Sequence, residues 1–538
     1  MKKLVSRFMA VLMAMTMILS MSMTAFAAEA SKGTLTVNNT VEGKTLDLYQ
    51  IFTATKNGEN VAYTLNSAYE GFFKNNTRIS GSESLTGEAL SEKAYEYVKT
   101  QVGEDGKNGT GFAKEILGWI LANADTVAAT HTTAPTTAGT TVIRDLAYGY
   151  YVVYPLGATD TSAAPGEQDY TSVASLVSVT DPTVTINMKS NYPTVVKKVN
   201  DKNADDVNIG DEVTYTLTSK VPDMTGYTSY VFNFKDTLSA GLTFKEITSV
   251  TVGETTITKV DAGQEANDTY TLTQAGQNIT ITMNNFLASN ANKVGQEIKV
   301  TYTVTLNKDA VTGFDANKNS ATVEYSNKPG TDNKGESEPS IVDVHTFNFT
   351  IFKYYLKGAD KTGLANAEFE LYKANEAGDA ADENAKINIV DEGNGVYRQA
   401  TADEAKVTGF TSAKIVSDDD GKVLVKGLDA GTYYLRETKA PEGYNKLLSD
   451  IKVEIIATYG EDGKLASYKV DYTYNGTTTP GTAITTKDNS PEVAVENKTG
   501  AQLPSTGSKG ALMVTLAGIV LFGALTASKA FGKKKAKN

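Results

Sequence analysis

The 538-residue chain carries 63 Asp and Glu against 51 Lys and Arg, no cysteine and two histidines. That composition excludes disulfide staples, and His131 and His345 lie too far apart for a metal-ligand pair, so neither a metal nor a cofactor is expected. The acidic balance speaks against nucleic acid or anionic lipid as partners, and no Ser-His-Asp grouping or phosphate loop suggests an enzyme.

Lys2, Lys3 and Arg7 precede an apolar segment and a small-residue exit, Ala25-Phe26-Ala27. This order predicts a secretory signal peptide over residues 1–28, cut after Ala27 or Ala28. The chain beyond it is rich in Thr, Val and Tyr, with short alternating runs such as Val213-Thr214-Tyr215-Thr216-Leu217 broken by Gly, Asn and Asp. Period-two alternation of this kind predicts an all-β chain of tandem immunoglobulin-like β-sandwich domains. The first, 29–188, includes a helical insertion over 89–102 and 112–124, with Trp119 in its core and the Thr-rich run 130–141 as an exposed loop. The second, 189–345, contains strands around Val195-Val196-Lys197-Lys198-Val199, Phe232-Asn233-Phe234-Lys235-Asp236 and Val323-Glu324-Tyr325-Ser326-Asn327. The third, 346–500, opens at Phe347-Asn348-Phe349-Thr350-Ile351-Phe352-Lys353 and closes at Val493-Ala494-Val495-Glu496-Asn497.

Residues two apart on a strand share a face. Lys353 therefore lies with Phe349 and Ile351, Glu437 with Tyr433 and Leu435, and Asn497 with Val493 and Val495. In the second region Lys197 lies with Val195 and Val199, Asp236 with Phe232 and Phe234, and Asn327 with Val323 and Tyr325. Lys198 is adjacent to Lys197, and Asn319 has the parity of Asn327, so both remain open as alternatives. Each region thus aims a lysine, an acid and an asparagine inward, where an unpaired charge is costly. Burial lowers a lysine pKa and supplies a neutral amine. Beside a proton-relaying carboxyl, that amine can attack the asparagine carboxamide and expel ammonia. No such trio is found in the first region, and no internal bond is expected there.

The chain ends with Leu503-Pro504-Ser505-Thr506-Gly507, an uncharged run over 510–528, and a tail holding Lys529, Lys533, Lys534, Lys535 and Lys537. The run is long enough for a transmembrane helix, with the lysines (529–538) on the cytoplasmic side. Processing at both ends removes three basic residues at the front and six beyond Thr506. That leaves 42 against 63 acids, a net charge of −21.

The pentapeptide, span and basic tail (501–538) resemble the cell-wall sorting signal of Gram-positive surface proteins. The resemblance implies cleavage between Thr506 and Gly507 by a sortase and transfer of the threonyl group to an amine. The third region resembles the collagen-adhesin B-type domain, with Tyr434-Leu435-Arg436-Glu437-Thr438-Lys439-Ala440-Pro441-Glu442-Gly443-Tyr444 similar to the pilin E box. The second resembles the isopeptide-forming middle domain of fimbrial shaft pilins. By this resemblance, Lys353 bonds Asn497 with Glu437 as catalytic acid, and Lys197 bonds Asn327 with Asp236. Shaft pilins carry their acceptor lysine in a Tyr-Pro-Lys-Asn motif between the first two domains. The corresponding place here reads Asn187-Met188-Lys189-Ser190-Asn191, with Tyr192-Pro193 after the lysine rather than before it. Lys189 is the implied acceptor. The implied protein is a secreted, wall-anchored shaft pilin, briefly membrane-held before cleavage. Its implied partners are identical subunits, minor pilins, pilus-type and housekeeping sortases and peptidoglycan. The alternatives are a monomeric peptidoglycan-anchored adhesin with a host protein or glycan as ligand, and a minor basal or tip pilin.

Overall fold

The computed structural model describes residues 31–75, 77–103, 109–158, 174–188, 191–487 and 489–500. The signal peptide, Lys189, the Leu503–Gly507 motif, the apolar run and the basic tail all lie outside the described residues.

In the first domain the principal elements are β1 (Lys32–Thr40), β2 (Leu46–Asn57), β3 (Asn60–Leu65), α1 (Gly87–Val102), α2 (Gly109–Ala122), β4 (Gly139–Ala147), β5 (Gly149–Pro155), β6 (Ser175–Val179) and β7 (Thr183–Asn187). They form two sheets, ordered β4-β1-β7 and β3-β2-β5-β6. Strands β2 and β5 are covered on both faces. Leu46, Leu48, Tyr151 and Val153 pack with Leu35 and Val37 of the facing sheet. Tyr49, Ile51, Val152 and Tyr154 pack outward against Leu90, Ala94, Ile116 and Ile120 of the helices. This explains why β2 reads as a continuous buried run over Leu46–Phe52 rather than alternating.

Trp119 packs on the helical core as expected, half-buried at its rim with its ring 5.7 Å from that of Phe72. One expectation for this domain is corrected. The Thr-rich run is not a free loop but a strap along β2. Thr133 Oγ1 accepts from Leu46 N at 3.0 Å, Thr130 Oγ1 accepts from Gln50 N at 3.0 Å, and Thr136 donates to Lys44 O at 2.9 Å. Threonine hydroxyls here satisfy a strand edge that would otherwise lack partners.

The second domain contains β8 (Val196–Val199), β9 (Glu212–Lys220), β10 (Phe232–Leu238), β11 (Leu242–Val252), β12 (Thr269–Ala275), β13 (Asn278–Met283), β14 (Glu297–Leu306), β15 (Asn317–Ser326) and β16 (Ser340–His345). One sheet runs β11-β14-β9-β8, and the other has the principal order β16-β15-β10-β13-β12. Alternation is strict where the strands face each other: Val213, Tyr215 and Leu217 of β9 are buried, as are Val300, Tyr302 and Val304 of β14.

The third domain contains β17 (Phe347–Lys357), β18 (Glu368–Ala374), β19 (Val396–Gln399), β20 (Lys422–Leu428), β21 (Gly431–Lys439), β22 (Ile451–Tyr459), β23 (Leu465–Tyr474) and β24 (Glu492–Glu496). β24 pairs in parallel with β17 in the sheet that continues through β20 and β19. The facing sheet runs β18-β21-β22-β23.

Only Thr346 separates β16 from β17, so the second and third domains abut. Asp206 accepts from Tyr459 Oη at 2.5 Å and from Ala430 N at 2.7 Å, while Lys464 pairs with Asp343 at 2.9 Å. The first and second domains meet through Lys44, which donates to Tyr325 Oη at 3.2 Å and Glu336 O at 3.0 Å. Lys328 approaches the fully buried Asp47 at 3.5 Å.

Candidate functional site

In the third domain, alternation along β17 carries Phe347, Phe349, Ile351 and Lys353 to the same buried face. On the opposite sheet, β21 turns Tyr433, Leu435 and Glu437 inward. Asn497 lies one residue past β24 and is held in register by its N–H, which donates to Tyr354 O at 2.9 Å. The three polar side chains converge with almost no exposure: 0% for Lys353, 2% for Glu437 and 2% for Asn497. Lys353 Nζ lies 3.0 Å from Glu437 Oε1. The other carboxyl oxygen accepts from Leu447 N at 2.7 Å and, at a long 3.5 Å, from Asn497 Nδ2. Asn497 Nδ2 also donates to Asn445 O at 2.7 Å, which fixes the carboxamide plane. Burial pushes the Lys353 pKa below that of a free lysine, opposed by the nearby Glu437.

The second domain gathers a comparable set by another route. Lys197 projects from β8 in one sheet, and Asp236 from β10 in the other. Lys197 Nζ contacts Asp236 Oδ2 in a fully buried ion pair. Tyr302 completes the cluster. Lys197 Nζ donates to its hydroxyl at 2.5 Å, and the hydroxyl donates to Asp236 Oδ2 at 2.6 Å. Asn319 Nδ2 donates to the same hydroxyl at 3.0 Å. The rings of Tyr215 and Tyr302 stack beside the amine, 5.0 and 5.2 Å from Nζ. Burial again lowers the Lys197 pKa, against the pull of Asp236.

The asparagine in this cluster is Asn319, which corrects the expectation of Asn327. Asp236 pairs with Ala321 across β10 and β15, and Leu238 pairs with Asn319, so Asn319 is two residues from the acid on the same face. Asn327 lies six residues from Ala321 in the other direction, about 20 Å along a strand. It also falls beyond the end of β15 at Ser326, where alternation no longer dictates a face, and Gly157 of the first domain packs against it. Lys198 faces away and bonds Asn203 at 2.6 Å, leaving Lys197 as the buried amine. Asn319 is also not on the last strand of its domain, since β16 comes after it and pairs Val342 with it.

Tyr302 is absent from the trio argued from sequence. Its signal was present in Val300-Thr301-Tyr302-Thr303-Val304, whose parity buries the ring and obliges its hydroxyl to find a partner.

Both clusters put an amine of lowered pKa, a carboxyl and a carboxamide in a buried core. Asp236 Oδ1, Asn319 Oδ1, Glu437 Oε1 and Asn497 Oδ1 have no hydrogen-bond partner among the described residues. Such an arrangement is expensive unless chemistry removes a charge. Condensing the amine with the carboxamide does so. Among the described residues no group of His, Asp or Glu has metal-binding geometry.

Residues 209–329 match the Gram-positive pilin backbone family, described as backbone subunit 2, Cna-B-like domain. Residues 354–470 match the SpaA family, described as a prealbumin-like fold domain. The middle sandwich thus matches a domain family described from Gram-positive pilin backbones. The Cna-B-like description falls on that middle sandwich, whereas the collagen-adhesin B-type resemblance expected from sequence falls on the third, which matches the prealbumin-like family. Asp236, Tyr302, Asn319 and Glu437 lie inside the matched spans, and Lys197 and Lys353 just before them.

Among curated relatives, the chain is 28% identical over 346 residues to fimbrial subunit type 2 of Actinomyces naeslundii, covering 61% of this chain and 58% of that protein. It is 25% identical over 292 residues to the trypsin-resistant surface T6 protein of Streptococcus pyogenes serotype M6, covering 48% of this chain and 44% of that one. The chain thus spans about half the length of the curated relatives it matches. Among solved structures, the T6 backbone pilin of Streptococcus pyogenes superposes with a TM-score of 0.45 at 16% identity, covering 88% of this chain and all of that one.

Proposed function

We propose that the chain is a shaft subunit of a sortase-assembled pilus, hardened by two internal amide bonds. One joins Lys353 to Asn497 with Glu437 handling protons, and the other joins Lys197 to Asn319 with Asp236. In each, the neutral amine attacks the carboxamide carbon, the new C–N bond forms, and the old one breaks. The proton lost by lysine leaves with the departing nitrogen as ammonia. The observation that carries this reading is the Lys353–Glu437–Asn497 cluster. Its carboxyl touches both the amine and the carboxamide, and all three groups are sealed from water.

The sorting signal supports the second half of the reading. A sortase acylated by Thr506 would pass the chain to Lys189 of another copy, and at the base of the fibre to peptidoglycan through a housekeeping sortase. The subunit would be exported, held by residues 510–528 until cleavage, and then displayed on the wall with minor pilins.

Intact-mass measurement tests the internal bonds: the folded chain should be lighter by about 17 Da for each ammonia lost, about 34 Da in all. An unmodified mass removes the claim. Glu437→Ala should retain only the loss from the second domain. For assembly, Lys189→Ala in the native host should collapse a high-molecular-weight ladder to monomer. A ladder that persists would move the acceptor elsewhere, and a wild type without one would point to a monomeric wall protein.

A further inference from the structure

The two clusters differ in how the carboxyl reaches the carboxamide. In the third domain Glu437 touches Lys353 with one oxygen and Asn497 with the other, and the hydrogen bonds at that site involve no tyrosine hydroxyl. In the second domain no direct bond joins Asp236 to Asn319; the Tyr302 hydroxyl stands between them and also meets Lys197.

We propose that Tyr302 is a catalytic residue of the second-domain crosslink, delivering the proton that lets the Asn319 nitrogen leave. This rests on the crosslinking reading above. Attack by Lys197 Nζ on Asn319 Cγ forms the new C–N bond and leaves Nζ with a proton to lose. Asp236 Oδ2, in contact with both Nζ and Tyr302 Oη, accepts it. In the resting cluster the phenol proton points to Asp236 Oδ2, and Nδ2 donates to the hydroxyl at 3.0 Å; once Asp236 is protonated the hydroxyl turns, gives its proton to Nδ2 as the Cγ–Nδ2 bond breaks, and is reprotonated from Asp236. Ammonia departs, and both Asp236 and Tyr302 end as they began. Neutral phenol is the form this step needs. Desolvation first, then the charge of Asp236, push the Tyr302 pKa well above that of free tyrosine, so the hydroxyl keeps its proton until the departing amine claims it. The hydroxyl has no competing task, because its three partners are all members of the cluster.

The test tracks ammonia loss over time by intact mass and peptide mapping of the full-length chain made by cell-free translation. Wild type should lose two ammonias. Tyr302→Phe keeps the ring stack with Tyr215 and should form the third-domain bond at the wild-type rate, with the second-domain bond slowed at least about 100-fold. Equal rates for both bonds in Tyr302→Phe would overturn the role of Tyr302 while leaving the crosslinks standing. Wild type without either loss would instead sink the crosslinking reading itself. Should the phenylalanine variant fail to fold, uniform incorporation of 3,5-difluorotyrosine, which makes the phenol more acidic, offers a second readout. It should change the rate of the second-domain bond and leave that of the third unchanged. An effect on neither, or the same effect on both, overturns the proposal.

Discussion

At the scale of single residues, the decisive quantity is the cost of holding an amine in an apolar core. Lys353 is fully buried with its pKa depressed, chiefly by desolvation. In an Asn497→Ala chain the amine cannot be consumed and must titrate. Its folded pKa lies below the unfolded value of about 10.4, so between the two the unfolded chain binds more protons and stability rises with pH. That variant should become more stable as pH climbs through this window and lose that increment as pH falls. It should also lose on the order of 5 kcal/mol relative to the crosslinked parent, by analogy with closing a loop of about 145 residues. Melting temperature against pH for parent and variant checks both. A pH profile identical in the two chains would mean that Lys353 titrates in the parent as well, and no amide is present.

At the scale of strands, the two proposed bonds sit in different mechanical settings. β17 and β24 are parallel neighbours in one sheet, so the Lys353–Asn497 bond would tie adjacent strands near the end of their ladder. Tension entering at Phe347 would then pass directly to the chain beyond Asn497, bypassing everything between. Lys197 and Asn319 instead lie in opposite sheets, and the chain continues from Asn319 through a hairpin before returning along β16, where Val342 pairs with Asn319. The roughly 20 residues of that return stay on the load path, worth about 70 Å when drawn out at ~3.4 Å each. Single-molecule pulling of the mature chain should therefore show one step of about this length from the second domain and none from the third. The first domain, where the sequence leads us to expect no internal bond, should give a step on the order of 500 Å. A step of several hundred ångströms from either C-terminal sandwich would exclude its crosslink.

For the molecule as a whole, the junctions decide whether three sandwiches behave as a rod. The second and third domains share backbone and side-chain bonds around Asp206, Asn208 and Lys464. The first and second are joined by Lys44, wedged between the rings of Tyr192 and Tyr325, and by Lys328 against Asp47. Asp47 keeps a 2.6 Å bond from Thr132 if Lys328 is removed. Lys328→Ala should therefore loosen the junction by about 1 kcal/mol without unfolding either domain. Small-angle scattering should show a broader distribution of maximum dimensions, with both ammonia losses unchanged. An unaltered profile would assign the rigidity to the other contacts of that junction, among them Lys44 in its aromatic pocket, Lys114 beside Asp223, and the packing of Gly226 on Leu121.

Alternation and composition, read from the chain alone, determined the all-β class, the helical patch of the first domain, and the inward aim of Lys197, Asp236, Lys353, Glu437 and Asn497. These are local properties: strand periodicity needs only neighbours two residues away to declare a face. The choice between Asn319 and Asn327 was different, because both have the same parity on one run and only the β10–β15 register says which stands beside Asp236. Tyr302 enters the cluster from a third strand in the opposite sheet, and the Thr-rich strap acquires its partners only where β2 passes beneath it. Register and sheet-to-sheet packing join residues a hundred positions apart, so tertiary structure alone could decide them.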